Sequence, residues 1–112
     1  EALLKEAGLI SRVILPRTDT GNTHVFNQFT IRAEKRDELR NALTEAGIGT
    51  EIYYPVPLHL QTCYRELGHR KGAFPVSERA AEDVLSLPIY AELTDPQLIY
   101  VVEQIRKFYS RR

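Results

Sequence analysis

A change of hydrophobic period between residues 24 and 54 constrains the fold more than any other feature. Apolar residues alternate along 24–32 ("HVFNQFTIR"), which is typical of a half-buried strand. Helical spacing then continues to Gly47, a residue that commonly ends helices. The stretch 49–54 ("GTEIYY") favours a second strand. The predicted apolar positions are Val25, Phe29 and Ile31 on the strand and Leu39, Ala42, Leu43 and Ala46 on the helix.

Two more helices are predicted in the C-terminal half. Ser77 can cap a helix over 77–87, and 87–90 ("LPIY") reads as a short extended piece. Thr94 and Gln97 have the spacing of a capping box before the last helix. The apolar stripes are Ala80, Ala81, Val84 and Leu85, and then Leu98, Val101, Val102, Ile105, Phe108 and Tyr109.

Short helices are also predicted at 1–10, ended by Gly8, and from residue 58 to Gly68. The chain has 112 residues, the size of one small domain, so we expect a single domain over 1–112. The resulting fold class is α+β, with a few-stranded, mainly antiparallel sheet covered by helices. Residues 1–10 read as the tail of a linking helix, which suggests a domain of a longer polypeptide.

Charge and cysteine usage exclude several classes of protein. There are 15 basic and 15 acidic residues, spread evenly, so the chain lacks the basic excess of a nucleic-acid-binding protein. No apolar run approaches the ~20 residues that cross a bilayer. The single cysteine, Cys63, permits no intrachain disulfide, which fits a reducing, cytoplasmic location.

The stretch "IYYPVPLH" is the strongest candidate for a binding segment. Pro55 and Pro57 fix φ and push the residues before them toward extended geometry. Tyr53 and Tyr54 should point to opposite sides, one inward and one outward. A stiff segment would present its phenol groups, and the imidazole of His59, at little entropic cost on binding. The alternative is an edge strand ended by prolines, with half-buried tyrosines.

Other polar residues give weaker signals. Asn27 falls on the apolar face of the first strand, either as a satisfied core amide or as part of a site. Cys63 follows His59 by four residues, but an idle thiol is the simpler interpretation. Arg32, Arg36 and Arg79 read as surface charges. No metal-ligand spacing occurs among the histidines, and the four lysines, Lys5, Lys35, Lys71 and Lys107, all sit in polar surroundings.

Several ordered motifs together resemble one family. The stretches "GIGTEIYYPVPLH" and "FPVSERAAEDVLSLPIY", with the spacing between them, resemble the C-terminal part of the DegT/StrS family of sugar aminotransferases. The resemblance runs from about residue 9 to residue 109. It implies the small C-terminal domain of a fold-type I enzyme that depends on pyridoxal phosphate.

The resemblance implies a reaction that needs a longer polypeptide. Such enzymes transfer an amino group, usually from glutamate, to a nucleotide-linked keto sugar in nucleotide sugar and polysaccharide biosynthesis. Their larger N-terminal domain holds the cofactor and the lysine that binds it. We therefore expect no cofactor and no catalytic residue on this chain, and no amino transfer by this chain alone. A homodimer is also implied.

The resemblance also suggests individual site residues. Tyr54 matches a position that borders the sugar-nucleotide site, and His59 matches the histidine after the proline loop. Tyr53 stands where the family often has histidine, so its hydrogen-bonding role differs. Asn27 stands near the active-site side of the sheet, again where histidine is frequent. His24 matches the start of the family's strand, without an assigned role.

Rival functions remain open at this stage. A stand-alone α+β module could bind a small molecule or regulate a partner without chemistry, and a pure dimerisation domain is a third possibility. Some relatives in the resembling family lack the lysine and act as dehydratases or regulators. The sequence does not identify the sugar, the nucleotide or the ring carbon that would be aminated.

Overall fold

The computed structural model describes residues 1–110, and an antiparallel sheet of three strands lies at its centre. The strands are β1 (Val13–Ile14), β2 (Phe29–Ala33) and β3 (Val84–Leu87), in the order β1-β2-β3. Val13 pairs with Ala33, and Ile31 pairs with Leu85. The α+β class with an antiparallel sheet is therefore confirmed. The last two positions of the predicted 1–112 domain lie outside the described residues.

Within residues 1–110, four α-helices accompany the sheet, and three short 3₁₀ helices lie in the connections. The α-helices are α1 (Ala2–Glu6), α2 (Arg36–Glu45), α3 (Pro75–Asp83) and α4 (Asp95–Ser110). The 3₁₀ helices cover Leu9–Ser11, Leu58–Leu60 and Thr62–Leu67. The short helix predicted from residue 58 is thus present in 3₁₀ form and ends at Gly68.

One apolar core joins the helices to the sheet. Its fully buried side chains include those of Ile31 on β2, Leu39 and Leu43 on α2, Leu85 on β3 and Ile105 on α4. The predicted stripe of α4 is confirmed at the positions that pack against this core: Val101, Val102, Ile105, Phe108 and Tyr109. The sheet and helices thus pack around one hydrophobic cluster. This cluster sets the positions at which the connecting loops begin and end.

Several helix ends agree with the sequence signals. The backbone N–H of Thr94 donates to Gln97 Oε1 at 2.9 Å, as expected of a capping box. Gly47 has a φ of 76°, and the N–H of Ile48 donates to Leu43 O beyond it, which closes α2. A glycine is favoured there because side chains disfavour the left-handed region.

The predicted first strand is too long at its N-terminal end. Residues 24–28 are not a strand, and β2 begins at Phe29. Phe26 has a φ of 46°, and its N–H donates to His24 Nδ1 at 2.8 Å, so a side chain replaces a strand partner. Val25, predicted on the apolar face, is 88% exposed. The alternation of apolar residues therefore predicted a strand wrongly over residues 24–28.

The predicted helix over 77–87 is also partly wrong. The helix begins at Pro75, so Ser77 lies inside it and caps nothing. It ends at Asp83, and the next four residues form β3, paired with β2. Val84 and Leu85 are therefore strand residues. Of the extended piece predicted at 87–90, only Leu87 belongs to the strand. The apolar spacing predicted a helix through Leu87 because no glycine or proline marks an earlier end. Pairing with β2 instead makes the last four residues a strand.

The second predicted strand is reduced to one pair of residues. Glu51 and Ser86 exchange two backbone hydrogen bonds, of 3.1 and 2.8 Å, on the side of β3 away from β2. Ile52 next to this pair is buried. The contact is short, yet it fixes where the following tyrosine segment leaves the sheet.

Candidate functional site

The tyrosine segment, Glu51 to His59, leaves the edge of the sheet and bends at Tyr53, Pro55 and Val56. Glu51 pairs with Ser86, and the side chain of Ile52 enters the core. Beyond the prolines, the chain turns into the 3₁₀ helix Leu58–Leu60, where Leu60 N donates to Pro57 O at 2.9 Å. The segment is therefore attached at its two ends, but it is bent where the prolines predicted an extended stretch.

Both tyrosines of this segment are accessible. Tyr53 is 43% exposed and Tyr54 is 65% exposed, so the prediction that one packs inward is wrong. Their peptide bond is cis, and their rings meet edge to face with centroids 5.8 Å apart. Inward packing is unnecessary because Ile52 already fills the core position beside them. Two phenol groups are thus presented together at the surface.

A cleft of about 380 Å³ brings Tyr53 together with Asn27. Asn27 is exposed in the bend before β2, not on the apolar face of a strand, which corrects its predicted placement. Within the described residues, the lining has the carboxylate of Glu51 and no lysine or arginine. The remaining lining residues are Gln28, Gly49, Thr50, Ser86, Leu87, Pro88 and Ile89.

The cleft is rich in uncharged hydrogen-bonding groups. Asn27 supplies an amide and Tyr53 a hydroxyl, and the Oγ1 of Thr50 is buried without a partner in the described part of the chain. Ser86 Oγ, by contrast, lies 2.8 Å from Thr30 Oγ1 and is already engaged. With the Glu51 carboxylate as a further acceptor, such a set suits an uncharged ligand with several hydroxyls, since hydroxyls can both donate to and accept from these groups.

Tyr54 lies on a separate cleft. That cleft measures about 480 Å³ and is lined by Tyr54, Pro55, Val56, Leu60, Gln61 and Thr62. Gln61 Nε2 donates to Val56 O at 3.3 Å and closes one side of it. The two neighbouring tyrosines therefore line two different clefts.

His59, the fourth predicted site residue, is buried and points toward α3. Its Nε2 lies 2.9 Å from Glu78 Oε1, and the two side chains are 7% and 12% exposed. The His59 ring also meets Phe74 edge to face, with centroids 4.9 Å apart. His59 lines neither the cleft of Tyr53 nor that of Tyr54. It lies beneath the segment that carries them.

Glu78 is the residue of this region that sequence reasoning missed. Its carboxylate also accepts the N–H of Gly72 at 2.8 and 2.9 Å and the N–H of Phe74 at 3.3 Å. These amide bonds, chiefly that of Gly72, hold the pKa of the Glu78 carboxyl below its ordinary value, and His59 adds to the effect. An acid in the first turn of a helix after a glycine-containing loop was the available signal.

The other histidine and cysteine candidates do not join the site. His24 stacks on Phe26 at 4.2 Å and closes a local turn. Cys63 is exposed and lies in the 3₁₀ helix that follows the one holding buried His59, so the two residues share no helix face. The interpretation of Cys63 as an idle thiol therefore fits the geometry better than a nucleophile would.

Residues 1–110 contain neither a cluster of metal-binding side chains nor a lysine that lines the clefts of Tyr53 and Tyr54. Within 1–110, no cluster of three or more histidine, cysteine, aspartate or glutamate side chains could hold a metal ion. Pyridoxal phosphate needs an amine beside its aldehyde. The four lysines are all exposed, and none lines the clefts of Tyr53 or Tyr54. This donor set does not fit the cofactor by itself.

Hydropathy gives one further structural result. Among the helices within residues 1–110, none combines the length and the apolar character needed to span a bilayer.

A cavity of about 510 Å³ lies between α1, α4 and the end of β3, and its lining is mostly apolar. It shares Leu87, Pro88 and Ile89 with the cleft of Tyr53, so the two lie side by side.

Comparison with known proteins supports the resemblance of the motifs. A sequence model of the DegT/DnrJ/EryC1/StrS aminotransferase family matches residues 1–106. The pleiotropic regulatory protein of Geobacillus stearothermophilus is 50% identical over 107 residues, which cover 96% of this chain and 28% of that protein. The dTDP-3-amino-3,4,6-trideoxy-alpha-D-glucose transaminase of Streptomyces venezuelae is 41% identical over 97 residues, which cover 87% of this chain and 26% of that protein.

Solved structures show the same fold. S. venezuelae DesV, in complex with a ketimine intermediate, superposes with a TM-score of 0.88 at 39% identity and covers 99% of this chain and 31% of its own. A DegT DnrJ EryC1 StrS aminotransferase from Brucella abortus gives a TM-score of 0.82 at 34% identity, over 96% of this chain and 29% of its own. The chain spans less than a third of the length of these relatives, in their small domain. The chain belongs to the DegT/DnrJ/EryC1/StrS aminotransferase family.

Proposed function

We propose that this chain is the substrate-side, C-terminal domain of a pyridoxal-phosphate-dependent sugar aminotransferase. The complete enzyme would transfer an amino group from glutamate to a nucleotide-linked keto sugar in the cytoplasm. The observation that carries the proposal is the pair of exposed tyrosines on a stiff segment, each beside its own cleft. The transaminase name of the 41% identical relative supports the reaction class.

The roles of the site residues follow from their positions. Tyr53 and Asn27 line one polar cleft and would hydrogen-bond the hydroxyls of the sugar. Tyr54 would contact the same substrate from the neighbouring cleft. A direct contact from His59 stays a prediction, and its burial against Glu78 favours an indirect role. Presenting these groups on a stiff segment lowers the entropy that substrate binding costs.

The chemistry itself is assigned to the rest of the enzyme. The cofactor supplies the carbonyl group that accepts and passes on the amino group. A larger N-terminal domain would hold it, together with the lysine, and a homodimer would complete the sites. This chain would bind and orient the sugar and close over it. We therefore expect no amino transfer by residues 1–112 alone.

The first experiment is a visible absorption spectrum of the complete polypeptide with pyridoxal phosphate, before and after borohydride. A band that borohydride removes would show a lysine bound to the cofactor and support the enzyme. The second is sugar kinetics of Tyr54→Phe, for which we expect KM to rise by about tenfold. Tyr64→Phe, an exposed tyrosine outside both clefts, is the matched control. An unchanged KM in Tyr54→Phe would contradict the site assignment.

A regulatory function is the second candidate. It rests on the 50% identical relative from Geobacillus stearothermophilus, which is named a pleiotropic regulatory protein. In that case the clefts would bind a sugar ligand as a signal, without amino transfer. A complete polypeptide that shows no reducible band but still binds a nucleotide-linked sugar would favour regulation over catalysis.

A further inference from the structure

The tyrosine segment is attached at both ends to one continuous piece of structure. Helix α3 runs directly into strand β3, since Asp83 ends the helix and Val84 begins the strand. The start of the segment is bonded to β3 through Glu51 and Ser86. Its far end is bonded to α3 through His59 and Glu78. The helix–strand unit Pro75 to Leu87 therefore sets the distance and direction between the two attachment points.

The attachment at the far end depends on a single carboxylate. Glu78 accepts hydrogen bonds from the His59 ring and from the backbone N–H groups of Gly72 and Phe74. Since an ionised carboxylate only accepts, His59 must carry a proton on Nε2. Three donors from two loops thus converge on one side chain. A carboxylate can serve them all because it has two oxygens and about four lone-pair directions.

The loop on the other side of Glu78 is ordered by the same contacts. Gly72 has a φ of 93°, a conformation that side chains rarely adopt, and its N–H is turned toward the carboxylate. Phe74 packs edge to face against His59 and also against His69, with centroids 4.9 and 5.0 Å apart. The loop thus covers the His59–Glu78 contact and shields it from water, which strengthens it.

We propose that Glu78 is a positioning residue that fixes Tyr53 and Tyr54 for sugar binding by clamping His59 and the loop before α3. The proposal rests on the proposed function of the two tyrosines. Glu78 itself touches no substrate, because its carboxylate is occupied by His59 and the two amides. His59 belongs to the same clamp, and its buried ring transmits the position of α3 to the proline segment.

The test compares Glu78→Gln with Glu82→Gln in the complete polypeptide. Glutamine keeps the size of the side chain but loses the charge and one acceptor oxygen. Hydrogen exchange should speed up by about tenfold in peptides covering 53–60 and 70–76 of Glu78→Gln. Glu82 is exposed one turn further along α3, so Glu82→Gln should exchange like the wild type. Unchanged exchange in Glu78→Gln would overturn the proposal.

Kinetics separate positioning from simple loss of stability. We expect Glu78→Gln to raise the KM for the sugar by about tenfold, with kcat and the reducible cofactor band unchanged. A proportional loss of active enzyme, with KM unchanged, would indicate a merely structural role and overturn the proposal. If Tyr54→Phe raises KM while Glu78→Gln does not, the clamp is refuted and the proposed function stands.

A second variant covers the case in which Glu78→Gln does not fold. His59→Gln removes one arm of the clamp and leaves Glu78 bonded to Gly72 and Phe74. Exchange should then speed up in peptide 53–60 and stay slow in peptide 70–76. Equal exchange of peptide 53–60 in this variant and the wild type would overturn the proposal, and this readout needs no enzyme activity.

Discussion

The hydroxyl of Tyr109, near the end of α4, donates a hydrogen bond of 2.6 Å to the backbone carbonyl of Glu34, just after β2. The two residues are 75 positions apart, so this bond ties the last helix to the end of β2, the middle strand of the sheet. Burial, followed by the nearby Glu34 charge, raises the pKa of Tyr109 from 10.0 to about 12. The neutral phenol is therefore favoured in the folded protein.

The raised pKa of Tyr109 predicts a loss of stability at alkaline pH. A folded pKa above the unfolded one stabilises the fold fully below pH 10.0, and this stabilisation disappears as the pH rises toward about 12. Tyr109→Phe should cost about 1 kcal/mol at neutral pH and flatten this dependence. Urea unfolding at several pH values, followed by circular dichroism, measures both effects.

Tyr100→Phe is the control for this prediction. Tyr100 also donates to a backbone carbonyl, that of Ala46 at 3.0 Å, but it is 45% exposed. Because water can replace this bond, the substitution should change the free energy of unfolding by less than about 0.5 kcal/mol. Equal losses in the two variants would show that the partial burial of the Tyr109 side chain does not strengthen its hydrogen bond.

Replacing Arg36 by lysine should lower the stability of the fold. The buried guanidinium of Arg36 donates to Val84 O at 2.7 Å and to Ala81 O at 3.0 Å, where α3 turns into β3. The sequence predicted a surface charge here, which is wrong. A lysine cannot reproduce this fork of donors, so Arg36→Lys should lower the free energy of unfolding by about 2 kcal/mol. Thermal and denaturant unfolding would measure the loss.

An exposed arginine provides the comparison for Arg36. Arg106 lies 3.9 Å from Glu103 on α4, with both side chains 59% exposed. Arg106→Lys should leave stability within about 0.5 kcal/mol, because surface ion pairs contribute little. A matching loss at Arg106 would mean that the helix–strand junction is not what makes Arg36 important.

Two isoleucines on α4 test how the helix is held. Ile105 is fully buried, whereas Ile99 is 46% exposed. Ile105→Ala should cost about 3 kcal/mol, from lost burial and the cavity left behind. Ile99→Ala makes the same chemical change on the same helix and should cost under about 1 kcal/mol. Similar costs for both would contradict the observed orientation of α4.

The parts of the fold that the sequence predicted are those governed by local chemistry. The capping box of Thr94 and Gln97 and the left-handed glycines at 8, 47 and 68 depend on neighbours within a few residues. Strand β3 could not be predicted in this way. Residues 84–87 follow α3 without a glycine or proline, and their partners on β2 lie more than 50 positions away.

The candidate site shows the same division. Tyr53, Tyr54 and the prolines could be chosen because stiffness is encoded in neighbouring residues. The positions of Arg36 and Glu78 could not, since Arg36 is held by carbonyls of α3 and β3 more than 40 residues away and Glu78 by His59, 19 residues away. Asn27 was chosen on a wrong strand assignment, yet it lines the cleft of Tyr53. Its position depends on the turn at Phe26, which the alternation pattern concealed.

The Glu78 clamp should weaken in acid. Amide hydrogen bonds lower the pKa of Glu78, so the stability it contributes is present above the ordinary glutamate pKa and is lost as the pH falls through the lowered folded value. The charged groups near it are His59, which bonds to it, and Arg36, Asp37, Lys71 and Glu82, which share its groove. Exchange of peptides 53–60 and 70–76 should therefore accelerate, after correction for intrinsic rates, below the ordinary pKa of glutamate. Glu78→Gln should remove this acid step, and a step of unchanged size in that variant would assign it to another of these groups.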